Sequence, residues 1–278
     1  MALFSHDPAP HPLARENLTT FERRHRLMTI LREQPGIGVP EAANLLGVLQ
    51  GTIRNDLKSL AGTGQVRRVR GGGVILDESR DRTPIFTTRV MTHPHAKESI
   101  TEAAASLVHD NDSLMLDSST TAYYLACCLR DRRDLTVITN GIESARELAK
   151  NPSNTVILPG GVLRVDGMAT SMPMGEQFLG NYRIKTAFIS CSGFTPDGGL
   201  TEVDIFEADN KRRMIATSGA TIALIDSSKF GRMDLTVFAR TDQIDHLFTD
   251  QSLSAHWVRE LRHEGVPFSL CALRAVPP

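Results

Sequence analysis

From Lys97 onward, short apolar runs alternate with helical patterns, and this rhythm constrains the fold of the chain more than any other feature. The runs are SLMLD, LTVIT, TVILPGG, TAFIS, TIALID, HLFTD and FSLCAL. Between or before them, Ile100, Ala103, Ala104 and Leu107 mark one amphipathic helix, and AYYLACCL, IESARELAK, EADNKRRMIA and HWVRELRHE read as others. About seven strands separated by helices predict a largely parallel sheet covered on both faces. A chain of 278 residues with 41% apolar content can bury such a core and still hold a second, smaller domain.

That smaller domain is expected at the amino-terminal side. Arg26 to Leu31 reads as a helix with Leu27, Ile30 and Leu31 inward; QPGIG breaks it, and Pro40 to Leu46 forms a second helix ended by Gly47. In LGVLQGTIRNDLKSL, Ile53, Leu57 and Leu60 share one face of a third helix, while Gly51, Asn55 and Lys58 point away and Arg54 flanks them. GTGQVRRVRGGGVIL then reads as a turn, a strand, a glycine hinge and another strand. Three helices and a two-stranded ribbon make a winged helix-turn-helix. The charged, proline-marked DESRDRTPIFTTRVMTHPHA reads as a linker. The expected organisation is a disordered leader at 1–19, the winged domain at 20–76, the linker at 77–96 and an α/β effector-sensing domain at 97–278.

Charge follows the same division. Residues 20 to 73 hold nine Lys or Arg against four acids, a balance of +5 that leaves −6 for the rest of a chain whose formal charge is −1. The imbalance points to a polyanion partner for the first domain only, although Arg23, Arg24 and Arg26 would also serve as a solvated face. Cys127, Cys128, Cys191 and Cys271 lack zinc-site spacing and read as reduced core residues of a cytoplasmic protein. No apolar run is long enough for a membrane span or a signal peptide.

Open parallel sheets bind ligands at the carboxyl ends of their strands. Here those ends are polar: DSSTT (Asp117, Ser118, Ser119, Thr120, Thr121), then Thr139, Asn140 and Gly141, then Pro159, Gly160 and Gly161, then SCSG from Ser190, then DSSK ending at Lys229. Hydroxyls and backbone N–H groups at a helix start suit a phosphate, and Lys229 would add a point charge. Helix capping, a chain turn and a solvated lysine account for the same residues one at a time. Their succession at several strand ends favours a small anionic ligand. No histidine pair has metal spacing, and CSGF lacks the pattern of a nucleophile elbow. Glu202, Asp204, Glu207 and Asp209 would suit a general base or complement a helix dipole.

Both halves carry motifs of one family. ERRHRLMTILRE, EAANLLGV, TIRNDLKSL and VRRVRGGGV stand in order in the first half; KESITEAAASLV, LDSSTTAYYLA, LTVITNGIESARELA, LPGGVLR, AFISCSGFTPDGGLTEVDIFEADNKRRMI and IDSSKFG follow in the second. Over roughly residues 20 to 250 the chain resembles the DeoR family of bacterial transcriptional regulators. The resemblance implies a winged helix-turn-helix that reads operator DNA, joined to an α/β sensor of the ribose-5-phosphate isomerase and CoA-transferase-like folds. It implies a repressor of sugar or nucleoside catabolic genes, released from DNA by a phosphorylated sugar; the paired half-sites that such helices read predict a homodimer or homotetramer. The alternative is a sugar-phosphate isomerase-like enzyme with an appended DNA-binding domain. The DNA contacts are then expected at Gly51, Thr52, Arg54, Asn55, Lys58, Arg67, Arg68 and Arg70. The effector contacts carried over are Asp117, Ser118, Ser119, Thr120, Thr121, Asn140, Gly160, Gly161, Asp204, Glu207, Lys211 and Lys229. No catalytic residue, metal or cofactor is expected. The recognition helix departs from the family pattern V-S-x-x-T-I-R-R-D-L, with Leu49 for the serine, Gly51 for a larger residue and Asn55 for the second arginine.

Overall fold

The computed structural model describes residues 20–34, 36–62, 66–68, 74–76, 86–164, 168–171 and 182–272. The chain divides into two compact units, Met1–Thr88 and Arg89–Pro278. The leader expected at 1–19 lies outside the described residues.

In the first unit, helix α1 (Thr20–Glu33) places Leu27, Met28 and Leu31 in a core shared with α2 (Val39–Leu45) and α3 (Gln50–Gly62). Pro40 opens α2, where its missing N–H costs nothing. Gly47 takes φ 62° in the turn to α3, a left-handed conformation that glycine adopts without strain. Ile53, Leu57 and Leu60 of α3 are buried as their spacing predicts. Strands β1 (Val66–Arg68) and β2 (Val74–Leu76) pair antiparallel as the wing. Arg23 and Arg24 do not form the solvated face considered above. The Arg23 Nε lies 2.6 Å and the Arg24 Nε 2.8 Å from the carboxylate of Asp56, which is buried on α3. Two of the nine cations are thereby committed to holding α1 and α3 together.

Part of the segment expected to be a linker is helical: α4 (Phe86–Met91) and the start of α5 (Pro94–Ala105). FTTRVM has weak helix propensity, but Phe86 and Val90, one turn apart, are both buried, and burial outweighs propensity. Pro94 forces the break between the helices, with His93 at φ 53° before it. Helix α5 also ends earlier than expected. Leu107 is exposed, and Val108 takes the buried position.

The second unit is built on seven parallel strands: β3 (Ser113–Leu116), β4 (Thr136–Thr139), β5 (Thr155–Ile157), β8 (Ile184–Ile189), β11 (Ser218–Leu224), β13 (His246–Asp250) and β14 (Phe268–Cys271). All seven coincide with the apolar runs read from the sequence. Their spatial order is β14-β13-β11-β8-β3-β4-β5. The chain therefore starts in the middle, winds outward through β4 and β5, then returns to the other side of β3 and winds out through β8 to β14. Period-two alternation divides the side chains between the faces. Leu114, Leu116 and Phe188 pack with α5, α6 (Thr120–Cys128) and α7 (Ile142–Leu148); Met115, Ala187 and Ile189 pack with α8 (Ile205–Thr217) and α9 (Ala255–His263).

Two small antiparallel elements escaped the sequence reading. One is the sheet of β9 (Gly193–Thr195), β10 (Gly199–Glu202) and β12 (Thr236–Ala239); the other is the pair β6 (Val162–Leu163) and β7 (Thr170–Ser171). Their strands are two to four residues long, and of the five only β12 carries an apolar run of the kind that marks β3 to β5. Cys191 and Cys271 are buried as expected, whereas Cys128 is exposed at the end of α6. No helix among the described residues is long and apolar enough to cross a membrane.

Candidate functional site

Two regions collect the residues picked out by sequence. On α3, Gly51, Arg54, Asn55 and Lys58 are exposed and Thr52 is half-buried, so the polar stripe faces away from the core. The helix begins on Leu49, whose carbonyl accepts the Thr52 N–H at 2.9 Å and the Ile53 N–H at 3.3 Å. Leu49 is 78% exposed, so it neither packs into the core nor caps the helix with its side chain. Gln50 accepts from Arg54 Nη2 at 3.2 Å instead of capping. Arg67 and Arg68 stand on β1, opposite Ile75 and Val74. Arg70 lies outside the described residues.

The second region is set by topology. The strand order reverses between β3 and β8, and at such a point two loops leave the sheet in opposite directions and open a crevice. Asp117, at the carboxyl end of β3, spans it. Its Oδ2 accepts the Ser190 N–H from the end of β8 at 2.8 Å and its Oδ1 accepts the Ser119 N–H at 3.0 Å. Lys211 Nζ, on α8, lies 3.1 Å from Asp117 Oδ2, donates to the Ser190 carbonyl at 2.8 Å and is paired with Glu202. Burial alone would lower the pKa of this ammonium, but Glu202, Asp117 and Glu207 together hold it above the ordinary lysine value. Ser118 Oγ donates to Glu207 at 2.7 Å. Arg164, just after β6, bridges Asp204 at 2.7 Å and Glu207 at 3.3 Å. Burial raises the Glu207 pKa, opposed by Lys211, Ser118 and Arg164.

Around this cluster stand the remaining groups. Ser119 caps α6 through Oγ, accepting the Ala122 N–H at 3.0 Å, and Thr120 and Thr121 are buried in the first turn. Their backbone N–H groups are among the donors a helix cannot satisfy internally. Asn140 Nδ2 donates to the Thr170 carbonyl at 3.1 Å, and Thr170 Oγ1 to the Pro159 carbonyl at 3.0 Å, which ties β7 to the loop that carries Gly160 and Gly161. Both glycines are exposed. Lys229 is half-buried after β11, beside Asp226 and Lys97. The Lys97 ammonium donates to the carbonyls of Arg89 and Thr92, and its pKa falls to about 8, chiefly through burial.

The structure thus joins Asp117, Ser118, Glu207 and Lys211 directly, attaches Asp204 through Arg164, and sets Asn140 next to Ser118. A Cβ on Gly141 would stand 3.2 Å from Ser118 Cα. Gly160 and Gly161 make no contact with these four groups that the structure records. Arg164, Lys97 and Asn210 were not foreseen; LPGGVLR hinted at the first, and nothing in the sequence distinguished the others from ordinary helix residues. A hollow of about 460 Å3 lined by Pro196, Arg240, Thr241, Val266 and Pro267 lies at the opposite, amino-terminal ends of β13 and β14. It lies away from the polar carboxyl ends of β3, β4 and β8.

A winged helix-turn-helix on one chain with an α/β domain whose switch-point crevice is polar has the build of a ligand-sensing, DNA-binding regulator. Family models agree for both units: the DeoR-like helix-turn-helix domain matches residues 23–79, and the DeoR C terminal sensor domain matches residues 92–251. The chain belongs to the DeoR family of transcriptional regulators. It is 34% identical to the HTH-type transcriptional regulator GolR of Listeria innocua, over 90% of this chain and 98% of that one. It is 32% identical to the L-fucose operon activator of Haemophilus influenzae, over 83% and 92%, and 28% identical to the HTH-type transcriptional repressor CsqR of Escherichia coli, over 84% and 89%. Ribose 5 phosphate isomerase A from Neisseria gonorrhoeae aligns with 48% of this chain and 52% of its own, at 13% identity and TM-score 0.35.

Proposed function

We propose that this regulator is a repressor of sugar or nucleoside catabolic genes in the bacterial cytoplasm, released from its operator when a phosphorylated sugar enters the crevice between β3 and β8. Residues 20–76 read the DNA, residues 97–278 sense the effector, and two or four copies act together on paired half-sites. The observation that carries the reading is the polar character of the switch point. Where the sheet reverses, hydroxyls, amides and cations replace apolar residues: Ser118, Thr120, Thr121, Asn140 and Lys229. The first turn of α6 supplies N–H donors for a phosphate, and Lys229 supplies charge. Asp117 has a part in the fold as well, because it clasps β3 to β8.

On the DNA side, Asn55 offers two hydrogen bonds to adenine in the major groove, and Arg54, Lys58 and the wing arginines Arg67, Arg68 and Arg70 meet phosphate or base edges. The family names repressors and an activator alike, so the sign of regulation is tested separately from ligand release.

The experiment is operator binding by the purified full chain with and without aldose and ketose phosphates, beside a turnover assay on the same compounds. One of them is expected to weaken operator binding without being converted. Isomerisation at enzymatic rates would overturn the reading in favour of an enzyme. Deletion of the gene is expected to raise expression of its targets; a fall would make it an activator.

A further inference from the structure

Buried polar atoms in folded proteins are almost always paired, so each exception points to something. Among the described residues, four buried side-chain atoms have no hydrogen-bond partner: Arg89 Nε, Asn140 Oδ1, Asn210 Nδ2 and Thr249 Oγ1. Two of them, on Asn140 after β4 and on Asn210 of α8, belong to elements beside the switch point. One is an acceptor and the other a donor.

Their placement follows from the contacts around them. Asn140 is 3% exposed, and its amide orientation is fixed because Nδ2 is spent on the Thr170 carbonyl at 3.1 Å; Oδ1 is therefore the free atom. Asn210 is 2% exposed and lies on the inward face of α8, one turn after Glu207 and next to Lys211. Glu207 receives the Ser118 hydroxyl, and Ser118 lies against Gly141, the neighbour of Asn140. A second route gives the same result: α8 packs against β7, and β7 carries the Thr170 carbonyl that holds Asn140. Both orphan atoms are thus carried by elements that meet around β7: Asn140 follows β4 and is held by Thr170, and Asn210 stands on α8, which packs against the same strand.

A buried amide without a partner costs about 1–3 kcal/mol, and a leucine would fill the same helix face without that cost. Packing does not explain Asn210. We propose that Asn210 is a specificity-determining contact for the effector, forming with Asn140 a donor–acceptor pair that takes hydroxyls of the ligand's carbon chain. This inference rests on the effector reading above and names the part of the ligand recognised here. A hydroxyl donates a hydrogen bond to Asn140 Oδ1 and accepts one from Asn210 Nδ2. A fully ionised phosphate satisfies only the donor, so the phosphate belongs at the first turn of α6 and Lys229, and the polyol end belongs between the two asparagines.

The test is calorimetric titration of the full chain with ribose 5-phosphate, glucose 6-phosphate, fructose 6-phosphate and sorbitol 6-phosphate, with inorganic phosphate as the anion-only probe. In the parent protein at least one sugar phosphate is expected to bind more tightly than inorganic phosphate. Asn210→Leu is expected to reduce that preference at least tenfold while the protein melts at the same temperature or higher. Asn210→Ala, which removes the amide without adding bulk, is expected to do the same and serves if the leucine variant does not fold. A preference unchanged in these variants would overturn the inference and leave the effector reading standing. Absence of any sugar-phosphate preference in the parent protein would overturn both.

Discussion

Lys211 keeps its charge in the interior because Glu202, Asp117 and Glu207 surround it. Taking an ammonium out of water costs several kcal/mol, and only close, oppositely charged partners offset that. Glu207 is in the reverse position: burial pushes its carboxyl pKa up, and Lys211, Ser118 and Arg164 only reduce the shift. A carboxyl whose folded-state pKa lies above its unfolded value holds its proton longer in the folded protein. Its stabilising contribution is complete at low pH and is lost as pH rises through the folded pKa. Glu207→Gln keeps an acceptor for Ser118 and removes that titration. The variant is therefore expected to gain stability relative to the parent as pH rises from about 5 to about 7.5. Urea midpoints at the two pH values check this; an equal difference at both would show that Glu207 is ionised throughout.

Helix α3 begins without a side-chain cap and with glycine in its first turn, and the surroundings permit both to be changed. Leu49 is exposed, and a Cβ added to Gly51 meets nothing within 4 Å. A serine at an N-cap is worth about 1 kcal/mol, and alanine over glycine up to about 1 kcal/mol. Leu49→Ser with Gly51→Ala is expected to stabilise the full chain by about 1–2 kcal/mol, read as a higher denaturant midpoint with an unchanged slope. A destabilised double variant would mean that Leu49 is held by contacts the helix needs. The pair is also expected to tighten binding to DNA of any sequence, because less of the binding energy is spent ordering the first turn.

Each unit has its own core: Leu27, Ile53 and Leu57 belong to one cluster, and the two faces of the seven-stranded sheet supply the others. Two units with separate cores are expected to melt in two steps. A sugar phosphate binding only the folded sensor at about 100 times its dissociation constant adds roughly 2.7 kcal/mol to that step alone. Calorimetric scans are expected to show one transition moving with ligand and one fixed. A single transition that moves as a whole would show that the units unfold together.

The seven strands and the helices that cover them were legible in the sequence because each buries an apolar face, and burial imposes a period that can be read locally. Ile53, Leu57 and Leu60, or the continuous apolar run of Leu114, Met115 and Leu116, need no partner to be recognised. The polar strand ends were legible for the same reason, since DSSTT and SCSG interrupt an apolar pattern where a sheet ends. What the sequence left open depends on contacts between distant residues. Asp117 and Ser190, or Ser118 and Glu207, meet only because β3 and β8 become neighbours after the chain has wound outward and returned. Arg23 and Arg24 read as free charge until α1 packs on α3 and brings Asp56 to them. Asn210 is one polar residue on a helix until the fold buries its amide and leaves the donor without a partner. Local periodicity is written in the order of residues, whereas pairing and desolvation belong to the folded arrangement.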